Sequence, residues 1–248
     1  MPRPIRLLPL ALLAIAFPAL AEPTQVTVRV ISQDAKFVGS SMGGAKVILR
    51  DKVTGEVMAE GLTAGGTGDT ALIMNSQGRS PLRASDDAAA FTTTLDLKGP
   101  RFVTLEVTGP MDYPASAVTV TQQRWIVPGE DVTAGDGWLV ELIGLVILPE
   151  TAIESGRLAI KAKVSPMCGC PITPGGLWPA EEYSVEATLW AEGRKLASAP
   201  LAFETAPGGF AGSIALPEGS DGALRYTLYA RNLRTGNSGM VSGAVASE

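Results

Sequence analysis

The sequence predicts an all-β protein: two tandem β-sandwich domains behind a cleaved signal peptide. Three observations carry this. Apolar and polar residues alternate at period two along much of the chain, the mark of strands with one buried face. The 248 residues include 28 Gly and 18 Pro, which is poor for helices and rich in turn formers. Strand-like segments recur at short spacing in two series, divided near residues 149–155, and paired sheets can bury the apolar faces of each series.

The leader comes first. Arg3 and Arg6 form a short basic region, residues 7–17 an apolar run, and Ala19-Leu20-Ala21 a small-x-small cleavage site. The run is short for a membrane span, and Pro9 and Pro18 interrupt it. Residues 1–21 are therefore expected to be a signal peptide and Glu22 the mature N-terminus. That implies a periplasmic or secreted protein with no membrane span in the mature chain, in a compartment where two thiols tend to pair.

The first domain is expected over residues 22–149. Residues 25–31 (QVTVRVI) alternate strongly, and residues 45–51 (AKVILRD) lead through Thr54-Gly55 into a return strand at 56–59. Further strands are expected at 91–97, 102–108, 117–122 and 138–148. Residues 65–90 lose the pattern and predict a long mobile loop, with a short strand at 71–74. Residues 149–155 are the expected hinge.

The second domain, 150–248, opens with RLAIKAKV at 157–164. YSVEATLW at 183–190 sets Tyr183, Val185, Ala187 and Leu189 on one face. Strands at 201–204, 210–216, 224–230 and 240–246 complete the series.

Gly44-Ala45-Lys46-Val47-Ile48-Leu49-Arg50-Asp51, Thr54-Gly55-Glu56 and Gly61-Leu62-Thr63-Ala64 resemble the opening strand, turn and strand of transthyretin-like or carboxypeptidase-regulatory domains. The long 65–90 segment departs from that pattern. Gly209-Phe210-Ala211-Gly212-Ser213, Leu216-Pro217, Tyr226-Thr227-Leu228-Tyr229-Ala230 and Thr235-Gly236-Asn237 are similar to the last strands of bacterial immunoglobulin-like domains. Both resemblances imply a fold and no active site.

Composition narrows the chemistry. The chain has no His, which excludes Ser-His-Asp and Cys-His catalysis and imidazole metal ligation. Its net charge of −5 becomes more negative once Arg3 and Arg6 leave, which disfavours nucleic acid. No Gly-x-Ser-x-Gly elbow is present.

One stretch could carry chemistry. Residues 165–179 read SPMCGCPITPGGLWP and hold both cysteines, Cys168 and Cys170. Three readings compete. The first is a Cys168–Cys170 disulfide, which closes a very small ring and gains little from loop closure. The second is a Cu(I) site of Met167, Cys168 and Cys170, since soft sulfur ligands favour Cu(I); Met42, Met74, Met111 and Met240 are further thioethers. The third is thiol–disulfide exchange, although the loop holds no cation to lower a thiol pKa and Lys163 is the nearest. A docking role is also open, through Leu177 and Trp178, with Trp178 expected to be exposed in its Pro-Gly loop. Trp125, Trp138 and Trp190 sit in strands and are expected in the core. Gly135-Asp136-Gly137 with Glu130 and Asp131 reads as a turn rather than a Ca²⁺ loop, and Asp86-Asp87 as solvated. Aromatic content of 6% is low for a sugar-binding groove.

The resulting expectation is an exported, non-enzymatic accessory or binding protein, with Cu(I) handling inside it. Its partner would be another periplasmic or membrane-bound protein. The alternatives are an adhesion or assembly subunit with an oxidised Cys-Gly-Cys, and a thiol–disulfide exchange partner.

Overall fold

The computed structural model describes residues 20–217 and 224–245. The signal peptide expected over residues 1–21 lies outside them, apart from Leu20 and Ala21. The described chain is nearly all β. Its strands are β1 (Glu22–Ser32), β2 (Lys46–Asp51), β3 (Val57–Leu62), β4 (Phe91–Leu97), β5 (Arg101–Gly109), β6 (Val118–Ile126), β7 (Trp138–Leu142), β8 (Leu145–Glu154), β9 (Arg157–Pro166), β10 (Ile172–Thr173), β11 (Trp178–Pro179), β12 (Tyr183–Ala191), β13 (Arg194–Thr205), β14 (Gly209–Ala215), β15 (Leu224–Asn232) and β16 (Ser238–Ala244).

The first seven strands form two sheets, ordered β4-β1-β7 and β3-β2-β5-β6. Strand β1 runs antiparallel to β4 and parallel to β7. Alternation decides the inner face. Val26, Val28 and Val30 of β1, Val47 and Leu49 of β2, and Val103, Leu105 and Val107 of β5 are all fully buried and share one core. The remaining long strands form a seven-stranded antiparallel sheet, β16-β15-β12-β13-β14-β9-β8, with its own core. Tyr183, Val185, Ala187 and Leu189 all lie in that second core, on the face the alternation predicts.

Three expectations are corrected. Residues 138–148 are two strands, not one. The chain leaves β7 at Ile143-Gly144 and enters the other sheet at Leu145. Gly144 has φ 153°, and a Cβ there would run into the Met167 methyl. Second, the expected hinge at 149–155 lies in β8 and its turn. Ser155 and Gly156 have φ of 49° and 74°, the positive pair that a tight two-residue hairpin requires. Pro149 is tolerated because β8 is an edge strand.

Third, the expected short strand at 71–74 is a single helical turn, α1 (Thr70–Met74). Asp69 caps it by accepting from Leu72 N at 2.6 Å, a helix-start contact that outweighs the local strand propensity. The segment around α1 is also pinned. Ile73 and Ala88 pack with Ile31 and Phe37, and the Asp136 carboxylate accepts from the backbone N–H groups of Arg83 and Ala84 at 3.0 and 2.9 Å.

Candidate functional site

The 165–179 loop leaves the end of β9 and is threaded between the two cores. Met167 is fully buried in the first core, and its backbone N donates to Ser32 Oγ at 3.0 Å. Cys168 and Cys170 lie in the second core, 2% and 5% exposed. They are disulfide-bonded, with Cα atoms 5.4 Å apart. Between them Gly169 has φ 74° and donates its N–H to Pro166 O at 2.9 Å. The Met42 sulfur occupies the space where a side chain at 169 would project, so only glycine fits. Successive residues of one short turn thus point into different cores.

The rest of the loop continues this knitting. Strands β10 and β11 form a two-residue parallel ladder. Trp178 is 6% exposed, and its indole N–H donates to Asp34 O at 2.9 Å. Asn237, from the turn before β16, donates its amide to Gln33 O and Gly144 O at 3.4 and 3.2 Å. The Trp178 and Asn237 contacts join chain segments far apart in sequence.

This geometry gives the metal assignment no support. Cys168 and Cys170 are bonded to each other and present no thiolate, the form that would bind Cu(I). Met167 packs its methyl against Gly144 in the first core. Among the described residues no group of three or more Cys, Asp or Glu side chains is gathered as a ligand set. Met74, Met111 and Met240 lie at the surface. The docking assignment is corrected in part: Leu177 is exposed, but Trp178 is buried, because its ring fills the second core and its N–H finds a partner there. Two carboxylates of the 130–137 stretch are spent on backbone. Asp131 accepts from Gln25 N at 2.7 Å, and Asp136 holds the 65–90 segment.

A cavity of about 120 Å³ lies beside Cys170, lined by Met42, Tyr113, Lys163 and Ser165 among others. Leu148, Lys163 and Pro207 line both this cavity and a surface groove of about 340 Å³. Lys163 is therefore near the sulfurs, as the sequence suggested, but beside a closed disulfide.

The structure also reveals a surface that the sequence reading missed. Trp125, expected in the core, is 62% exposed. It lies opposite Phe102 on the outer face of the β3-β2-β5-β6 sheet, with ring centroids 5.1 Å apart and planes tilted by 38°. The same face carries Thr119, Thr121 and Gln123 of β6, opposite Thr108, Glu106 and Thr104 of β5. Gln123 Nε2 donates to Thr104 Oγ1 at 3.3 Å, and the Thr108 and Thr119 hydroxyls meet at 2.8 Å. The signal was legible: in VTVTQQRWI, Trp125 shares the phase of Thr119, Thr121 and Gln123, not that of the buried Ile126. Trp138 is buried as expected, and Trp190 is half-buried with its N–H on Thr227 Oγ1 at 2.9 Å.

Two solved structures are similar to this chain. One is a DUF3823 family protein from Bacteroides ovatus, with 10% identity over 91% of this chain and 99% of that one, at a TM-score of 0.32. The other is a protein provisionally described as carbohydrate binding from Bacteroides uniformis, with 10% identity over 90% of this chain and 99% of that one, at a TM-score of 0.29. At these scores neither likeness supports a functional argument. No family model matches the chain, and no curated protein matches it.

Proposed function

We propose that the protein is an exported, non-catalytic accessory module that works by binding. In this reading residues 1–21 are a cleaved leader to the periplasm or the exterior. The chain then forms two units, expected at 22–149 and 150–248 and with the change-over drawn at Gly144, of transthyretin-like and immunoglobulin-like character. The Cys-Gly-Cys loop is the clamp between them. The outer face of the β3-β2-β5-β6 sheet is the side that meets a partner in the cell envelope.

The observation that carries this reading is how the sulfur is used. Both cysteines are consumed in a buried disulfide, flanked by Met167 in one core and Trp178 in the other. With no His in the chain, no imidazole base is left beside them. A disulfide also fits an oxidising compartment.

The test uses the mature chain, residues 22–248, purified without reductant. Thiol titration should find no reactive thiol until the protein is unfolded and reduced, and the protein should not catalyse reduction of a small disulfide substrate by dithiothreitol. A reactive thiol in the native state, or turnover above the uncatalysed rate, overturns the non-catalytic reading. Intact mass after expression with the leader should place the N-terminus at Glu22. Retention of residues 1–21 overturns the export reading.

A further inference from the structure

We infer that the outer face of the β3-β2-β5-β6 sheet binds an internal segment of an uncharged polysaccharide, with Trp125 as the stacking platform. The inference rests on the binding-module reading and names its ligand class.

Trp125 is the most exposed aromatic side chain among the described residues, and it stands on a strand rather than on a loop. Its ring is held by Phe102 from the neighbouring strand, 5.1 Å away. Little conformational freedom is therefore left to lose on binding. Leaving a large ring in water is unfavourable unless something covers it. The apolar area is divided, however: Phe102, Trp125 and the 43%-exposed Val127 lie at one end of the face, and Val57 and the 53%-exposed Leu62 lie on its β3 edge. A protein interface wants an apolar centre within about 800 Å² per partner, and here Thr104, Gln123, Glu106 and Thr121 lie between the two apolar groups.

Those rows identify the ligand chemistry. Next to the Phe102–Trp125 pair come Thr104 and Gln123, with Arg50 opposite Thr104, then Glu106 with Thr121 and the buried Ile48, then Thr108 with Thr119 and Lys46. Hydroxyl and amide groups therefore repeat every two residues, about 6.6–6.8 Å apart along a strand. The charges on the face balance: Lys46 and Arg50 against Glu60 and Glu106. A face with an aromatic ring, hydroxyl and amide partners and no net sign complements a pyranose chain. The polarised C–H face of a sugar packs on the negative face of the indole, and its hydroxyl rim needs neutral donors and acceptors. An anionic or cationic polymer would find no matching field. The face is an open sheet surface rather than a pit, so it suits the middle of a chain more than a single sugar or a chain end.

The experiment uses the full mature chain in affinity electrophoresis through soluble polysaccharides: neutral glucans, mannan and xylan, an acidic polymer, and an amino-sugar polymer. Tryptophan emission is read in parallel. At least one neutral polymer should retard the protein and shift the emission. Trp125→Ala should weaken that binding on the order of tenfold or more, as removal of a Trp hot spot does. Trp125→Phe should keep most of it, and Cys168→Ala/Cys170→Ala should leave it unchanged. Near-ultraviolet circular dichroism checks that each variant is folded. Retardation by no polymer overturns the inference, as does binding only to charged polymers or binding that Trp125→Ala leaves intact. Loss of a protein partner in Trp125→Ala without any polysaccharide binding overturns the saccharide and leaves the binding module standing. Native thiol turnover overturns the binding module alone.

Discussion

Trp178 and Trp125 sit in opposite kinds of surroundings, and each is the reverse of what a loop or a strand position alone suggests. Trp178 lies in a loop dense in Pro and Gly, yet it is buried and its N–H is bonded across the molecule to Asp34 O. Trp125 lies in a regular strand, yet most of its ring faces solvent. A loop can be interior when it connects two cores and its polar groups find partners there. A strand residue is interior only if its phase is right. Burial thus follows partners and phase, not secondary-structure type.

This contrast can be broken by experiment, and the largest effect belongs to the loop. Trp178→Ala should destabilise the protein by about 3–5 kcal/mol, because it empties part of the second core and frees the Asp34 carbonyl. Urea unfolding measures it; a loss under about 1 kcal/mol would mean that the loop does not join the cores. Replacing both Cys168 and Cys170 with Ala should cost less, roughly 2 kcal/mol, since the closed loop is only three residues long. The thermal midpoint reads this, and the same fall should follow when reductant is added to the wild type.

A third effect depends on pH and belongs to the first sheet pair. The backbone N–H of Thr54 holds the Asp51 carboxyl below the ordinary aspartate value, helped by Val53 N–H and Arg101 and opposed by burial. A lowered folded pKa means that stability is present above the unfolded-state value and fades as pH falls through the folded one. Thermal midpoints measured downward from pH 5 should therefore drop. Asp51→Asn should be less stable at neutral pH, and its gap from the wild type should close in acid. A constant gap would remove Asp51 as the cause.

The smallest stability effect should come from the other side of the comparison. Trp125→Ala should change unfolding free energy by no more than about 0.5 kcal/mol, as an exposed site does, while abolishing most ligand retention. A loss of several kcal/mol would place Trp125 in the fold rather than on a binding face.

Much of the architecture was legible. The valines of 25–31 and the alternation in YSVEATLW place their strands and inner faces, because period two is a property of extended backbone itself. The Cys-Gly-Cys spacing allows a disulfide, and the glycine between the cysteines is required by the turn. Other features were hidden. The break at Ile143-Gly144 falls inside one apolar run, 138–148, and nothing local says that its two halves serve different sheets. The 65–90 segment reads as free chain because its anchors, Phe37 and Asp136, lie far away in sequence.

The sequence by itself determined the strand content, the lack of any imidazole chemistry and the single sulfur pair, because these follow from composition and local period. Only the tertiary structure decided that the Cys-Gly-Cys loop runs between two cores and that Trp178 is inside. Those outcomes depend on which distant groups arrive to fill space and satisfy hydrogen bonds, and no local pattern encodes an encounter between Trp178 and Asp34, 144 residues apart.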